Sequence, residues 1–501
     1  MKHIKKIGCL ILSVLLVISV AMPAFAAADT NVCPTVHING IMSSRLYADK
    51  DDSSTIMPLP EADDLTAIIK EKLFPALLNY CITQDIDALA KVITDELNVM
   101  FKDYFNNPDG TPVGNSGVKL NYPSASSIKM NSKLQFAYDW RGDPFVIAAE
   151  LNDYINYILD STGSDKVALT CHSLGSVVVT TYLSVYGDDK VSGIVFDTPA
   201  MQGVTYVGDL LCGEICMDAQ GVMTFLESVL GEAETEKLVK EGLAVLNLGP
   251  VPELFIGFLD DVLQKLAPTG FKETLIPMFS RWLTIWALTP DDRVEEAMEY
   301  LFGDATDEDT LILKGKIESY NEIVRKNRTE NLLKFDEKGK LAVISRYGYS
   351  SLPLTSSWEN LSDTVMDVKY SSLGATTVKA GEYFSNEYLA GKDMKYISPD
   401  LTVDASTCLF PEKTWFIKKL EHSKNSALYD YYPLFLFSDE EVTCDNFALT
   451  RFSVYDAQTK EVSADKVVHE AEKEPAPMNK ILRFLTSLLD FFRKLFSGFK
   501  K

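Results

Sequence analysis

Hydrophobic positions along this chain follow two rhythms. Short, nearly unbroken apolar runs at residues 35–38, 134–138, 167–170, 191–196, 341–345 and 414–417 read as buried strands. Between them lie longer stretches, such as 252–259 and 293–301, whose apolar residues recur at helical spacing. Strands that alternate with helices of crossover length predict an α/β fold with a mostly parallel sheet. Two helical insertions interrupt the pattern. One covers about residues 65–105 and ends in the turn-rich Asn106-Asn107-Pro108-Asp109-Gly110, and the other runs from about residue 202 to residue 332. The expected organisation is a core over 27–200, a helical cap over 201–335 that shapes the substrate pocket, and a resumed core over 336–470.

One strand-to-helix junction carries chemistry. Cys171-His172-Ser173-Leu174-Gly175-Ser176 stands between the apolar runs 167–170 and 177–179. A serine lifted above a sheet edge between small residues is a nucleophile elbow, usually written Gly-x-Ser-x-Gly. Here Cys171 takes the place of the first glycine and Gly175 keeps the second.

A serine hydroxyl is a weak nucleophile, so it needs an imidazole base and a carboxylate to orient that base. Hydrolases of this kind carry the three in the order serine, acid, histidine. The chain has five histidines. His3 and His37 precede the serine, and His172 sits in the elbow with its ring expected to turn away from Ser173. His422 and His469 remain, and His422 is preferred because it follows the apolar run 414–417, at a strand end. His469 lies in a charged tail and reads as solvated. For the acid, Asp400 in Ser398-Pro399-Asp400-Leu401-Thr402-Val403-Asp404 is the first choice, with Asp404 and Asp197 as alternatives.

Attack on a carbonyl also creates an oxyanion, which needs backbone donors in a site closed to water. Leu174, after the nucleophile, would supply one N–H. Ile41 would supply the other, because the apolar run 35–38 leads into Asn39-Gly40, which permits a tight turn.

Taken in order, Asn39-Gly40-Ile41-Met42-Ser43-Ser44-Arg45-Leu46, Tyr138-Asp139-Trp140-Arg141, the elbow at Ser173 and the Asp400 and His422 segments resemble the lecithin:cholesterol acyltransferase-like and lipase branch of the α/β-hydrolases. The resemblance implies an α/β-hydrolase sheet with a helical cap and a serine ester hydrolase or O-acyltransferase acting on lipid esters. It assigns Ser173 as nucleophile, Asp400 and His422 as its partners, and Ile41 and Leu174 as oxyanion donors. It implies no cofactor. This sequence departs from the pattern at Cys171, Ser43 and Leu401, the last standing where lipase-like enzymes carry glycine in Asp-Gly-x-Val.

Composition adds a compartment and a surface. A short basic start, an apolar stretch over 7–22 and Ala24-Phe25-Ala26 read as a secretory signal peptide over residues 1–26, of bacterial type. Of eight cysteines Cys9 lies in that leader, and the odd, sparse remainder reads as no disulfide framework, although Cys212 and Cys216 are spaced for one local bridge. No Cys/His set has zinc-ligand spacing, so no metal is expected. The formal charge of −23 argues against a nucleic-acid partner. The exception is the end of the chain. After a Pro-containing linker at 471–477, residues 478–501 place Lys480, Arg483, Lys494 and Lys501 on one stripe of a Leu/Phe-rich helix, suited to an anionic membrane surface. The expected product is a secreted or cell-surface protein.

Overall fold

A computed structural model describes residues 32–57, 71–72, 74–120, 122–230, 257, 260–262, 264–265, 276–337 and 339–465. The expected leader, linker and tail helix, with His469, therefore lie outside the described residues, as do parts of both helical insertions.

Eight strands form one sheet: β1 (Thr35–Ile38), β2 (Lys133–Phe136), β3 (Val167–His172), β4 (Val191–Asp197), β5 (Lys340–Tyr347), β6 (Thr414–Lys418), β7 (Phe452–Asp456) and β8 (Glu461–Ala464). Their spatial order is β8-β7-β6-β5-β4-β3-β1-β2. Every pairing is parallel except the edge pair β7–β8, which is antiparallel. The central strands are continuous apolar runs because both faces are covered, and all six residues of β3 are buried. Alternate side chains feed two cores: Leu169, Ile194 and Val343 on one face, Ala168, Val195 and Ile344 on the other. This is the mostly parallel α/β sheet that the alternating pattern predicts, and it is the α/β-hydrolase fold that the family resemblance implies.

Helix α1 (Pro144–Thr162) starts where Asp143 caps it, its side chain accepting the Phe145 N–H at 2.9 Å, with Pro144 in the first turn. It packs on α2 (Gly175–Tyr186), the helix that leaves the elbow. The first insertion contains helices Phe74–Thr83 and Ile86–Phe101, within the expected bounds.

The long helical block is not uniform. Its end, with α3 (Glu308–Tyr320) and α4 (Lys326–Asp336), contributes Leu313, Ile317, Tyr320, Val324, Leu332 and Phe335 to the same core as Val177 and Leu169. Within the block, α4 packs directly on α2 and β5 as the crossover into that strand, whereas α3 packs on the helix Leu283–Ala287. All but the last residue of α4 lies inside the bounds 201–335 expected for the cap, and the helix faces the sheet layer. An amphipathic helix shows the same spacing whether its apolar face covers a site or a sheet.

Between β5 and β6 the chain makes a long excursion of short turns and two-residue strands, including Tyr349–Ser350 paired with Leu361–Ser362, and Val403–Asp404 paired with Thr376–Thr377. Every acid candidate except Asp197 lies in this excursion.

Candidate active site

Ser173 stands at the carboxyl end of β3, where ligands meet parallel sheets. Its φ of 54° is the left-handed conformation that lets the chain turn sharply from strand to helix. Close packing enforces the turn. A Cβ on Gly175 would fall 2.2 Å from the Ile38 carbonyl oxygen, so no larger residue fits there. One on Gly40 would fall 2.9 Å from the Ser173 Cβ and 3.3 Å from its Oγ. Cys171, in place of the usual first glycine, is accommodated because its side chain points into the core, with Sγ 3.7 Å from the Val195 carbonyl.

Gly40 belongs to the loop that carries Ile41, and the Tyr-Asp-Trp-Arg segment pins that loop at both ends. Tyr138 Oη donates to the Asn39 carbonyl at 2.6 Å, its N–H donates to Ser44 Oγ at 3.1 Å, and Trp140 Nε1 donates to the Ser44 carbonyl at 3.1 Å. Arg141, fully buried, forks onto Asp139 at 2.9 and 2.7 Å and reaches the Asp103 carbonyl. Ile41, next to Gly40, and Leu174, next to the serine, thus lie on two fixed backbones, and among the described residues neither N–H has a backbone acceptor.

His422 lies just beyond β6, as expected for a base at a strand end. Its ring centroid is 4.6 Å from that of His172, the residue before the serine. Its acid partner is not the expected one. Nδ1 of His422 is 2.8 Å from Oδ2 of Asp363, and its backbone N–H donates to the Asp363 carbonyl at 3.0 Å. Asp363 is fully buried, and its other oxygen accepts the N–H groups of Val365 and Met366 at 3.0 and 2.7 Å. A carboxylate so held presents one fixed oxygen to the imidazole, which sets the ring's tautomer.

The three earlier acid candidates have other partners. Asp400 pairs with Lys418 Nζ at 2.7 Å and accepts the Ser398 and Thr402 hydroxyls at 2.6 and 2.8 Å. Burial alone would raise its pKa, but the ammonium and hydroxyls outweigh that and hold it below the usual carboxylate range. Asp404 caps the turn at Ser406 and accepts from Tyr388 and Lys392, both at 2.9 Å. Asp197, at the end of β4, forks onto Arg346. The assignment of Asp400 is thus corrected to Asp363 on geometry. Chain order does not separate them, because both lie in the excursion between β5 and β6. No local motif marks Asp363: Asp363-Thr364-Val365 has the same Asp-x-Val form as Asp260-Asp261-Val262 and Asp292-Arg293-Val294, which also lie between the serine and the histidine.

Two other residues gain contacts that the sequence did not suggest. His172 turns its Nε2 to the His422 carbonyl at 3.1 Å, and Arg346, on β5, reaches the same carbonyl at 3.0 Å. Cys212 and Cys216 are both free thiols. Among the described residues no three His, Cys, Asp or Glu side chains gather as a metal site.

Comparison with known proteins agrees at the level of fold. A family model described as "alpha/beta hydrolase fold" matches residues 122–210, the stretch that carries β2, β3, the elbow and β4. Among solved structures, the Tle4–Tli4 complex matches at 15% identity and a TM-score of 0.20, over 36% of this chain and 48% of that one. The match thus spans about half of that relative's length. The haloalkane dehalogenase DatA from Agrobacterium tumefaciens C58 matches at 12% identity and a TM-score of 0.15, over 61% and 88% of the two chains. A thermophilic esterase from Thermogutta terrifontis matches at 10% identity and a TM-score of 0.14, over 59% and 90%. No curated protein matches the chain.

Proposed function

We propose that this protein is a secreted serine ester hydrolase or acyltransferase that acts on lipid carboxylic esters, with Ser173, His422 and Asp363 as its triad. The observation that carries the reading is the 2.8 Å contact between His422 and buried Asp363, beside a serine on a left-handed elbow. In this mechanism His422 Nε2 accepts the Ser173 hydroxyl proton as Oγ attacks the ester carbonyl, and the Ile41 and Leu174 N–H groups hold the oxyanion. The imidazolium, steadied by Asp363, returns the proton to the leaving alkoxide. Water or a second alcohol then resolves the acyl-enzyme. Ser173 is only 5% exposed, so charge develops where water is largely excluded and fixed donors act strongly.

The lipid substrate and the secreted location rest on the Asn39–Leu46, Tyr138–Arg141 and elbow motifs, the leader sequence, and the basic, Leu/Phe-rich composition of 478–501, whose residue spacing suits an anionic membrane surface. Fluorophosphonate labelling and turnover of a soluble ester, compared between wild type and Ser173→Ala, test the chemistry. Labelling confined to Ser173 and turnover lost in the variant are expected. A folded wild type that neither labels nor turns over ester would leave a silent binding protein on a hydrolase fold.

A further inference from the structure

The triad leaves a buried ion pair unexplained. Asp197 and Arg346 are both fully buried, and Arg346 forks onto the carboxylate through Nε at 3.1 Å and through Nη2. Tyr432 Oη donates to the same carboxylate at 2.5 Å, and Asn425 accepts from Nη2 at 3.2 Å. A pair this deep is poor evidence of stabilisation, because desolvating two charges can cost as much as their attraction returns. Its other bonds suggest a purpose. Arg346 Nη1 donates to the carbonyls of Glu421 and His422, each at 3.0 Å, while the backbone carbonyl of Asp197 accepts the Ser173 N–H at 3.2 Å. One residue pair therefore touches both the nucleophile's backbone and the base's backbone.

We propose that Asp197 and Arg346 form a strut between the elbow and the His422 loop, and that with His172 they position the imidazole over Ser173. The inference rests on the reading of Ser173 and His422 as the reacting pair. The His422 carbonyl takes two donors, Arg346 Nη1 and His172 Nε2, and its N–H is taken by the Asp363 carbonyl. A carbonyl only accepts, so His172 Nε2 carries the proton. Burial first, then the nearby His422 and Arg346, push the His172 pKa well below the ordinary imidazole value, so it stays a neutral donor beside the guanidinium. With the backbone held on both polar groups and Nδ1 on Asp363, the ring's remaining nitrogen is aimed from a fixed base. The three are positioning residues, since none is required to touch substrate.

The test removes the pair together, so that no buried charge is left alone, in Asp197→Leu/Arg346→Met, alongside His172→Phe and His172→Gln. Misplacement of a reacting group by about 1 Å costs on the order of 10²-fold. The folded double variant is expected to label with fluorophosphonate about 10²-fold more slowly, to lose kcat with KM little changed, and to show a mixed His422 tautomer by nitrogen-15 NMR. His172→Phe should slow labelling as well, and His172→Gln, which restores an N–H donor, should recover most of the loss. Wild-type labelling rate and tautomer signal in the folded double variant would overturn the proposal. If that variant does not fold, the His172 variants decide, and His172→Phe indistinguishable from wild type overturns it. Failure of the wild type itself to label would refute the serine-hydrolase reading instead, and the NMR signal would still report whether the strut holds His422.

Discussion

The two sides of the site are held by different physics. On the elbow side, position is set by missing side chains: Gly40 and Gly175 let backbones approach to distances at which a Cβ would sit 2.9 Å from Ser173 Cβ and 2.2 Å from the Ile38 carbonyl. On the base side, position is set by polar pairs between segments far apart in the chain, His422 with Asp363, Arg346 with Asp197, and Lys418 with Asp400. Sterics are unforgiving of one added methyl but indifferent to charge. The pairs tolerate small changes of volume and fail when one partner is neutralised, because the other is left buried without its complement. The nucleophile's place is therefore set by small residues at close contacts and the base's place by polar pairs.

The largest effect should separate two carboxylates of the same excursion. Asp363→Asn should lower kcat on a soluble ester by about 10⁴-fold, as neutralising a triad acid does, with the fold intact by circular dichroism. Asp400→Asn should leave kcat within about ten-fold of wild type and act on stability instead, by about 1–3 kcal/mol, because it weakens a bond to Lys418 and two to hydroxyls. Thermal melts beside steady-state rates give both numbers. Equal rate losses in the two variants would mean that the base side is not organised around Asp363.

That contrast also marks where the sequence could be read. The strands at 167–170, 191–196, 341–345 and 414–417 are legible because parallel strands buried on both faces are nearly pure apolar runs. The elbow was visible because its demand for small residues is local. Asp363 was not, since its credential is a 2.8 Å contact across 59 positions, which no local pattern carries. Asp400 matched a local pattern, and the protein uses that loop to hold Lys418. The helix at 326–336 packs on the sheet layer although its spacing matches that of the block before it, because an apolar stripe records that a face is covered and not what covers it. The edge strand β8 escapes the pattern because its residues alternate between exposed and half-buried and form no apolar run.

A middle-sized effect tests the steric side. Gly40→Ala adds one methyl group where Ser173 Cβ stands 2.9 Å away and its Oγ 3.3 Å away, so either the serine or the Ile41 loop must shift. Displacement of a reacting atom by about 1 Å predicts a loss on the order of 10²-fold in kcat/KM, without any change of charge. The effect should appear as well in the rate of fluorophosphonate labelling, which reports on Ser173 directly. Full activity in Gly40→Ala would show that this loop yields easily and that the elbow is seated by something other than close contact.

The smallest effect concerns the polar bond that the elbow side does use. Tyr138 is fully buried, and its hydroxyl donates to the Asn39 carbonyl at 2.6 Å, one end of the loop that carries Gly40 and Ile41. Burial drives its pKa far above the ordinary phenol value, so the group remains a protonated donor across the working range and adds no limb to the pH profile. Tyr138→Phe removes this donor from the carbonyl of half-buried Asn39, a change worth about 1 kcal/mol of stability. The loop's other end is still fixed by the Tyr138 N–H and Trp140 Nε1 on Ser44, and the glycine contacts are untouched. The rate should therefore fall by less than about ten-fold, since roughly 1.4 kcal/mol corresponds to a factor of ten. A loss approaching that of Asp363→Asn would mean that a hydrogen bond, and not close packing, sets the oxyanion loop, and the two sides of the site would then be built alike.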